Sequence, residues 1–131
     1  VIVVDTNVIA YLYLPGDYTE RAESWLERDP DWAAPLLWRS EFRNILAGYM
    51  RRRRLTFEAA RDLQLEAESL LAGAEHDVDS RLVLELVRDS NCSAYDCEFV
   101  ALAITLGVRL VTLDAKLLKA WPRYTVALTS P

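Results

Sequence analysis

Short β-branched runs alternate along this chain with stretches in which apolar residues recur every three or four positions. Val1 to Val4 is such a run, with the composition of a strand buried on both faces. Asp5, Thr6 and Asn7 follow as helix-start residues, and Val8 to Leu14 predict a short helix stopped by Pro15 and Gly16. A second helix is expected from Thr19 to Arg28, with Ala22, Trp25 and Leu26 on one face, and Ala33 and Ala34 suggest a brief strand. Leu37, Trp38, Glu41, Phe42, Ile45, Leu46 and Tyr49 recur at helical spacing and predict one helix from about Pro35 to Arg53. Thr56 caps another, with Phe57, Ala60, Leu63, Ala67, Leu70 and Leu71 inward, Glu58 and Glu68 outward, and an end near Gly73. These two helices form an αα-hairpin.

Asp79 or Ser80 starts a helix through about Val87, and Ser93 to Leu106 make the next, which stops at Gly107. Its inward stripe carries Asp96, Phe99, Val100, Ala103 and Ile104. Val108 to Leu113 reads as a strand, Ala115 to Ala120 as a short helix closed by Pro122, and Tyr124 to Leu128 as a last strand. Strands separated by helices require crossovers, hence an α/β fold with a mainly parallel sheet and helices on both faces. Sites in such sheets form at the carboxyl ends of the strands. Asp5 and Asp114 each directly follow an apolar strand and are expected at that edge.

A length of 131 residues with 52% hydrophobic content suits one domain, residues 1–131, with a substantial core. No apolar run approaches the roughly 18 residues of a membrane span, and neither a signal peptide nor a membrane partner is expected. Cys92 and Cys97, placed together on one helix, point away from each other and predict no disulfide, which fits a reducing, cytoplasmic setting. The formal charge of −5 runs against a nucleic-acid partner, since phosphate contacts draw on Lys and Arg. Most of that imbalance disappears if four acids are set aside as a cation site, so overall acidity excludes little.

Those four are Asp5, Glu41, Asp96 and Asp114. Gathered carboxylates resist joint ionisation, so a protein that collects four normally holds cations with them. Each also has an ordinary reading. Asp5 and Asp114 sit where a helix needs an N-cap, and Asp96 stands third after Ser93 as in a capping box. Glu41 is harder to explain that way, because Leu37, Trp38 and Ile45 place it on an inward stripe; its ordinary reading is an ion pair with Arg39, Arg43 or another Arg. Asn7 and Thr112 lie two residues from Asp5 and Asp114 and are candidates for orienting carboxylates or bound water. Arg51, Arg52, Arg53 and Arg54 end the long helix as a basic cluster, favoured there by the helix dipole and a candidate contact for RNA or a protein partner.

His76 is assigned no role. The four Trp and most Tyr occupy core or helix-end positions and are not read as base-stacking platforms; Tyr95, beside Asp96, stays open. No phosphate-binding loop, dinucleotide motif or Ser/His/Asp grouping is present.

Taken in order, VVDTNVIA, SEFRNIL, SAYDCEFVALA and LVTLDAKL resemble the PIN-domain nucleases across the whole chain, and most closely the VapC-type toxins. MRRRRLT between the hairpin helices is similar too, although a Gly often interrupts that basic run in the family and here none does. The resemblance implies a PIN-like three-layer αβα sandwich. It further implies a Mg²⁺- or Mn²⁺-dependent endoribonuclease that cuts single-stranded RNA, neutralised by a cognate antitoxin and assembled as a homodimer. In that pattern Asp5, Glu41, Asp96 and Asp114 are the catalytic, metal-binding quartet, with Asn7 and Thr112 accessory. A phosphorelay receiver fits poorly, since Thr6 follows Asp5 where adjacent acids are needed and no Lys follows the last strand. A haloacid-dehalogenase-type phosphatase needs Asp where Asn7 stands. A non-catalytic PIN-like binding module is the remaining alternative, against which the complete quartet argues.

Overall fold

The apolar runs become the middle of a sheet. In the computed structural model, which describes residues 1–131, β1 (Ile2–Val4), β2 (Trp32–Pro35) and β4 (Leu110–Thr112) are buried along their whole length. Helices on both faces explain why these strands read as continuous apolar runs. A two-residue strand β3 (Glu75–His76) and β5 (Thr125–Ala127) complete the order β3-β2-β1-β4-β5, with every neighbouring pair parallel. Because right-handed crossovers are nearly universal, α1 to α4 lie on one face and α5 to α7 on the other.

The first face holds α1 (Thr6–Tyr13), α2 (Thr19–Arg28), α3 (Leu37–Arg51) and α4 (Phe57–Leu70), with α3 and α4 paired as the expected hairpin. The second holds α5 (Ser80–Arg88), α6 (Ala94–Leu106) and α7 (Ala115–Ala120). α6 lies across β1, β2 and β4 with α5 packed on its back. Its buried residues therefore run without a break from Phe99 to Ala103, wider than the single stripe expected. Ser93 caps α6 and Gly107 ends it in the left-handed conformation at φ 68°.

Several expectations need correction. α3 begins at Leu37, because Pro35 is spent as the last residue of β2, and it ends at Arg51. Arg53 breaks the helix with a positive φ of 58°, the conformation that a Gly in the basic run would adopt without strain. Phe57 faces solvent at 61% exposure, since it opens α4 at the hairpin tip, beyond the reach of the core. Glu68 is half-buried and bonded to Arg39. Cys92 precedes α6 and does not share its helix with Cys97; both thiols are free and buried, as anticipated. β3 escaped the sequence reading, for two residues carry no periodicity. No helix is long and apolar enough to cross a membrane.

The chain runs outward from β1 to β2 and β3, then returns past β1 to β4. β1 and β4 thus flank the point where strand order reverses, the crevice in which parallel sheets place their ligands.

Candidate active site at the strand reversal

Register brings the first two acids together. Val4 pairs with Val111, and one step further the Asp5 N–H donates to the Val111 carbonyl at 3.1 Å. Thr112, fully buried, then faces Asp5 and donates its hydroxyl to Asp5 Oδ2 at 2.8 Å. The same hydroxyl accepts the Asp114 N–H at 3.0 Å. One Thr hydroxyl thereby hydrogen-bonds both corners.

Asp5 occupies the N-cap position of α1 yet makes no capping hydrogen bond with its side chain. Asp114 does cap, accepting the Lys116 and Leu117 N–H groups at 2.8 and 3.3 Å. Asp96 enters from α6, where Ser93 Oγ accepts its backbone N–H at 3.1 Å. Glu41 comes from the second turn of α3. Its expected ionic partners are engaged elsewhere: Arg39 binds Glu75 through two bonds of 2.8 Å and Glu68 at 3.0 Å, and Arg43 reaches Ser40. Glu41 Oε1 instead accepts the hydroxyl of Thr6, 3% exposed, at 2.7 Å.

Asp5, Thr6, Asn7, Glu41, Asn44, Ile45, Asp96 and Asp114 line one pocket of about 240 Å³. All four acids are therefore brought together, and Asn7 joins them at the exposed rim. Arg51 to Arg54 lie outside this pocket, exposed at the hairpin tip. Thr6 was missed as a functional residue, because in D-T-N it reads as ordinary helix-start chemistry; only its burial against Glu41 distinguishes it. Asn44, one turn from Glu41, lines the pocket from the same face of α3.

Electrostatics in this pocket oppose ionisation. Burial is the main force raising the Asp5 carboxyl; the Thr112 hydrogen bond pulls it down, and Asp96 and Asp114 push it up again. Burial likewise raises Glu41 against the Thr6 hydrogen bond, with Asp5, Asp96 and Glu98 adding to the rise. Asp96 is raised by burial and then by Asp114, while a hydrogen bond with Ser93 and the charge of Lys116 lower it. No Lys or Arg forms a salt bridge with any of the four. The amino ends of α1, α6 and α7 supply the nearest fixed positive potential, on the order of 0.3–1 kcal/mol each.

This donor set is chemically matched to a hard divalent ion: four carboxylates, uncharged hydroxyls that orient two of them, and no His or Cys for zinc. No three of the side chains stand close enough together to hold an ion as they are placed here.

The PIN domain family model matches residues 2–121. The chain belongs to the PIN-domain family. It is 31% identical over 124 residues to Ribonuclease VapC3 of Pyrobaculum aerophilum, covering 92% of this chain and 95% of that relative. Family and relative together support a nuclease and agree with the VapC-type resemblance. Among solved structures, FitAcB from Neisseria gonorrhoeae matches with a TM-score of 0.77 at 21% identity, covering 98% of each chain. A toxin–antitoxin complex from Klebsiella pneumoniae matches with a TM-score of 0.71 at 17% identity, covering 100% of both. These two share the PIN fold with this chain, including the parallel sheet that builds the pocket.

Proposed function

We propose that this PIN-domain chain is a Mg²⁺- or Mn²⁺-dependent endoribonuclease that cleaves single-stranded RNA, and that it is the toxin of a toxin–antitoxin pair. One observation carries the reading: four carboxylates share a pocket in which burial and mutual repulsion oppose the charge of Asp5, Glu41 and Asp96, and no Lys or Arg forms a salt bridge with any of the four. A bound divalent cation would neutralise such a pocket. Asp5 and Asp96 are the primary ligands in this proposal, with Glu41 and Asp114 completing the site directly or through water.

A bound Mg²⁺ or Mn²⁺ supplies activation of the attacking water and charge neutralisation at phosphorus. Thr112 donates to the Asp5 carboxylate while accepting the Asp114 backbone N–H, which restrains that carboxylate and ties the two corners together. Thr6 donates its hydroxyl to Glu41 Oε1 and restrains that carboxylate. Asn7, at the exposed rim, is placed to hydrogen-bond a phosphate oxygen or a water. Asp114 keeps one oxygen on the α7 backbone, which leaves the other for the pocket.

The remaining parts of the proposal rest on the family and its relatives. Residues 1–131 act as one domain in the cytoplasm, assemble as a homodimer and bind a cognate antitoxin, with Arg51 to Arg54 available to RNA or to that partner. The toxin–antitoxin complex from Klebsiella pneumoniae supports the partner.

The test is cleavage of structured and unstructured RNA with Mg²⁺, Mn²⁺ or chelator, beside Asp96→Asn. Cleavage of the unstructured RNA that needs the ion and is lost in the variant is expected. Equal cleavage by both proteins, or cleavage that survives chelation, would refute it. A complete lack of cleavage by the wild type would return the chain to a binding role.

A further inference from the structure

Beyond Asn7 and Ile45, a second hollow of about 290 Å³ lies between the α1–α2 turn and the last turns of α3. It shares those two residues with the carboxylate pocket, so the two hollows adjoin. The chemistry changes across the boundary, from four acids to three tyrosines. Tyr11 and Tyr18 stand with ring centroids 5.1 Å apart and tilted by 48°, forming one aromatic wall, and Tyr49 contributes from α3. The tyrosines do sit at helix ends, as their spacing indicates, but the fold gathers three of them beside the acids.

That wall is braced and its far end is cationic. Thr19 Oγ1 donates to the Tyr11 carbonyl at 2.7 Å and accepts the Gly16 N–H at 3.0 Å, which holds the turn bearing Tyr18. Tyr18 is 40% exposed, an open aromatic face on a fixed turn. The Arg52 guanidinium lies 4.9 Å from the centre of the Tyr49 ring. Gly48 makes room for it, since a Cβ there would stand 3.3 Å from Arg52 Nη1. None of Arg51 to Arg54 is paired with a carboxylate.

Acids, then aromatic faces, then an unpaired guanidinium match the repeat of a single nucleic-acid strand: a phosphate at the reacting centre, a base beside it, and the next phosphate beyond. We propose that the tyrosine hollow receives one unpaired base of the RNA strand held at the carboxylates, stacked on Tyr18, Tyr11 and Tyr49, with Arg52 against the adjoining phosphate. A base in a duplex is already stacked and cannot enter, so the hollow makes the chain select single strands. Asp17, the one acid lining it, repels phosphate but accepts a hydrogen bond from the amino edge of a base. The proposal rests on the nuclease reading for its strand and adds the element that distinguishes unpaired from paired RNA.

Single-stranded oligoribonucleotides carrying 2-aminopurine at successive positions test it, bound to the full chain with Asp96→Asn and compared with Tyr18→Leu and Tyr49→Leu added. Quenching at one position, lost in both Leu variants and retained in Tyr18→Phe, is expected. In the otherwise wild-type chain, Tyr18→Leu and Tyr49→Leu should raise KM by roughly five- to a hundredfold with kcat nearly unchanged. Quenching with no cleavage would keep the base site and overturn the nuclease. Cleavage with unchanged KM and no position-specific quenching would keep the nuclease and overturn the base site. Wild-type RNA behaviour in the Leu variants together with loss of a copurifying protein partner would assign the hollow to that partner and overturn the base site as well.

Discussion

Asp5 and Asp114 begin from the same local sequence, an apolar strand running into an aspartate that opens a helix. Their strands are parallel neighbours, so the two corners lie side by side. Yet Asp114 caps its helix through two backbone N–H groups, while Asp5 leaves its cap unmade and gives its carboxylate to Thr112. One acid combines a structural role with a place in the pocket. The other is half-buried at a site where its own charge is disfavoured, hydrogen bonds from Thr112 and the Thr6 backbone offsetting only part of the cost. A residue held against its local preference, in a crevice made by strand reversal, is the clearest mark of function in the molecule.

The largest expected effect is on catalysis. Asp5→Asn should lower the rate of RNA cleavage by more than the roughly 10–100-fold that loss of an orienting partner costs, because it removes a proposed ligand outright. Single-turnover kinetics at saturating Mn²⁺ measure it. Thr112→Val comes next, since it strikes both corners at once. A drop of about 10–100-fold in activity or metal affinity is expected, with a loss of about 1–3 kcal/mol in stability from the Asp5 carboxylate and Asp114 N–H left without their partner. Urea unfolding beside the activity assay reads both, and a change in stability alone would reduce Thr112 to a packing residue.

The two corners should then diverge in stability. Asp114→Ala removes a formed cap and should cost about 1 kcal/mol. Asp5→Asn should leave the fold equally or more stable in chelator, because a disfavoured charge is removed. The pH dependence carries the same sign. Asp5, Glu41 and Asp96 all have raised folded-state pKa values, so the native chain binds more protons than the unfolded one between the ordinary carboxylate range and those raised values. Their contribution to stability is therefore largest below the ordinary range and falls as pH rises through that window. Metal-dependent activity should run the opposite way, failing as pH drops through the same window. Chelated unfolding curves for wild type and Asp5→Asn should converge at acid pH and separate toward neutrality. Smallest of all, at a place neither corner touches, Arg53→Gly should stabilise the chain by about 0.5–1 kcal/mol by relieving a positive φ.

The contrast also shows what a sequence discloses. Strand and helix identity was legible wherever composition was extreme: β-branched triplets buried on both faces, Thr56, Asp79 and Ser93 at their caps, Gly107 at its αL stop. Boundaries failed where two elements compete for one residue, as at Pro35, or where a chain turn imposes an unusual φ on an ordinary residue, as at Arg53. Phe57 misled because helical spacing says which side a residue faces and not whether anything stands there. The four acids could be named from their positions, but their different states could not. Capping by Asp114 and its absence at Asp5 depend on the β1–β4 register, which sets Thr112 against Asp5 across more than a hundred residues of sequence. Thr6 and the tyrosine hollow were hidden for the same reason, each depending on contacts between elements distant in the chain.

The measurement that tests the metal reading most directly is the thermal unfolding of wild type and Asp5→Asn, each in chelator and in excess Mn²⁺. At a hundred times the dissociation constant, a bound ion should stabilise the wild type by about 2.7 kcal/mol, with Asp5→Asn at least as stable in chelator and almost unmoved by Mn²⁺. An unchanged wild-type Tm in Mn²⁺, or an equal rise in Asp5→Asn, would contradict a cation site built on these four carboxylates.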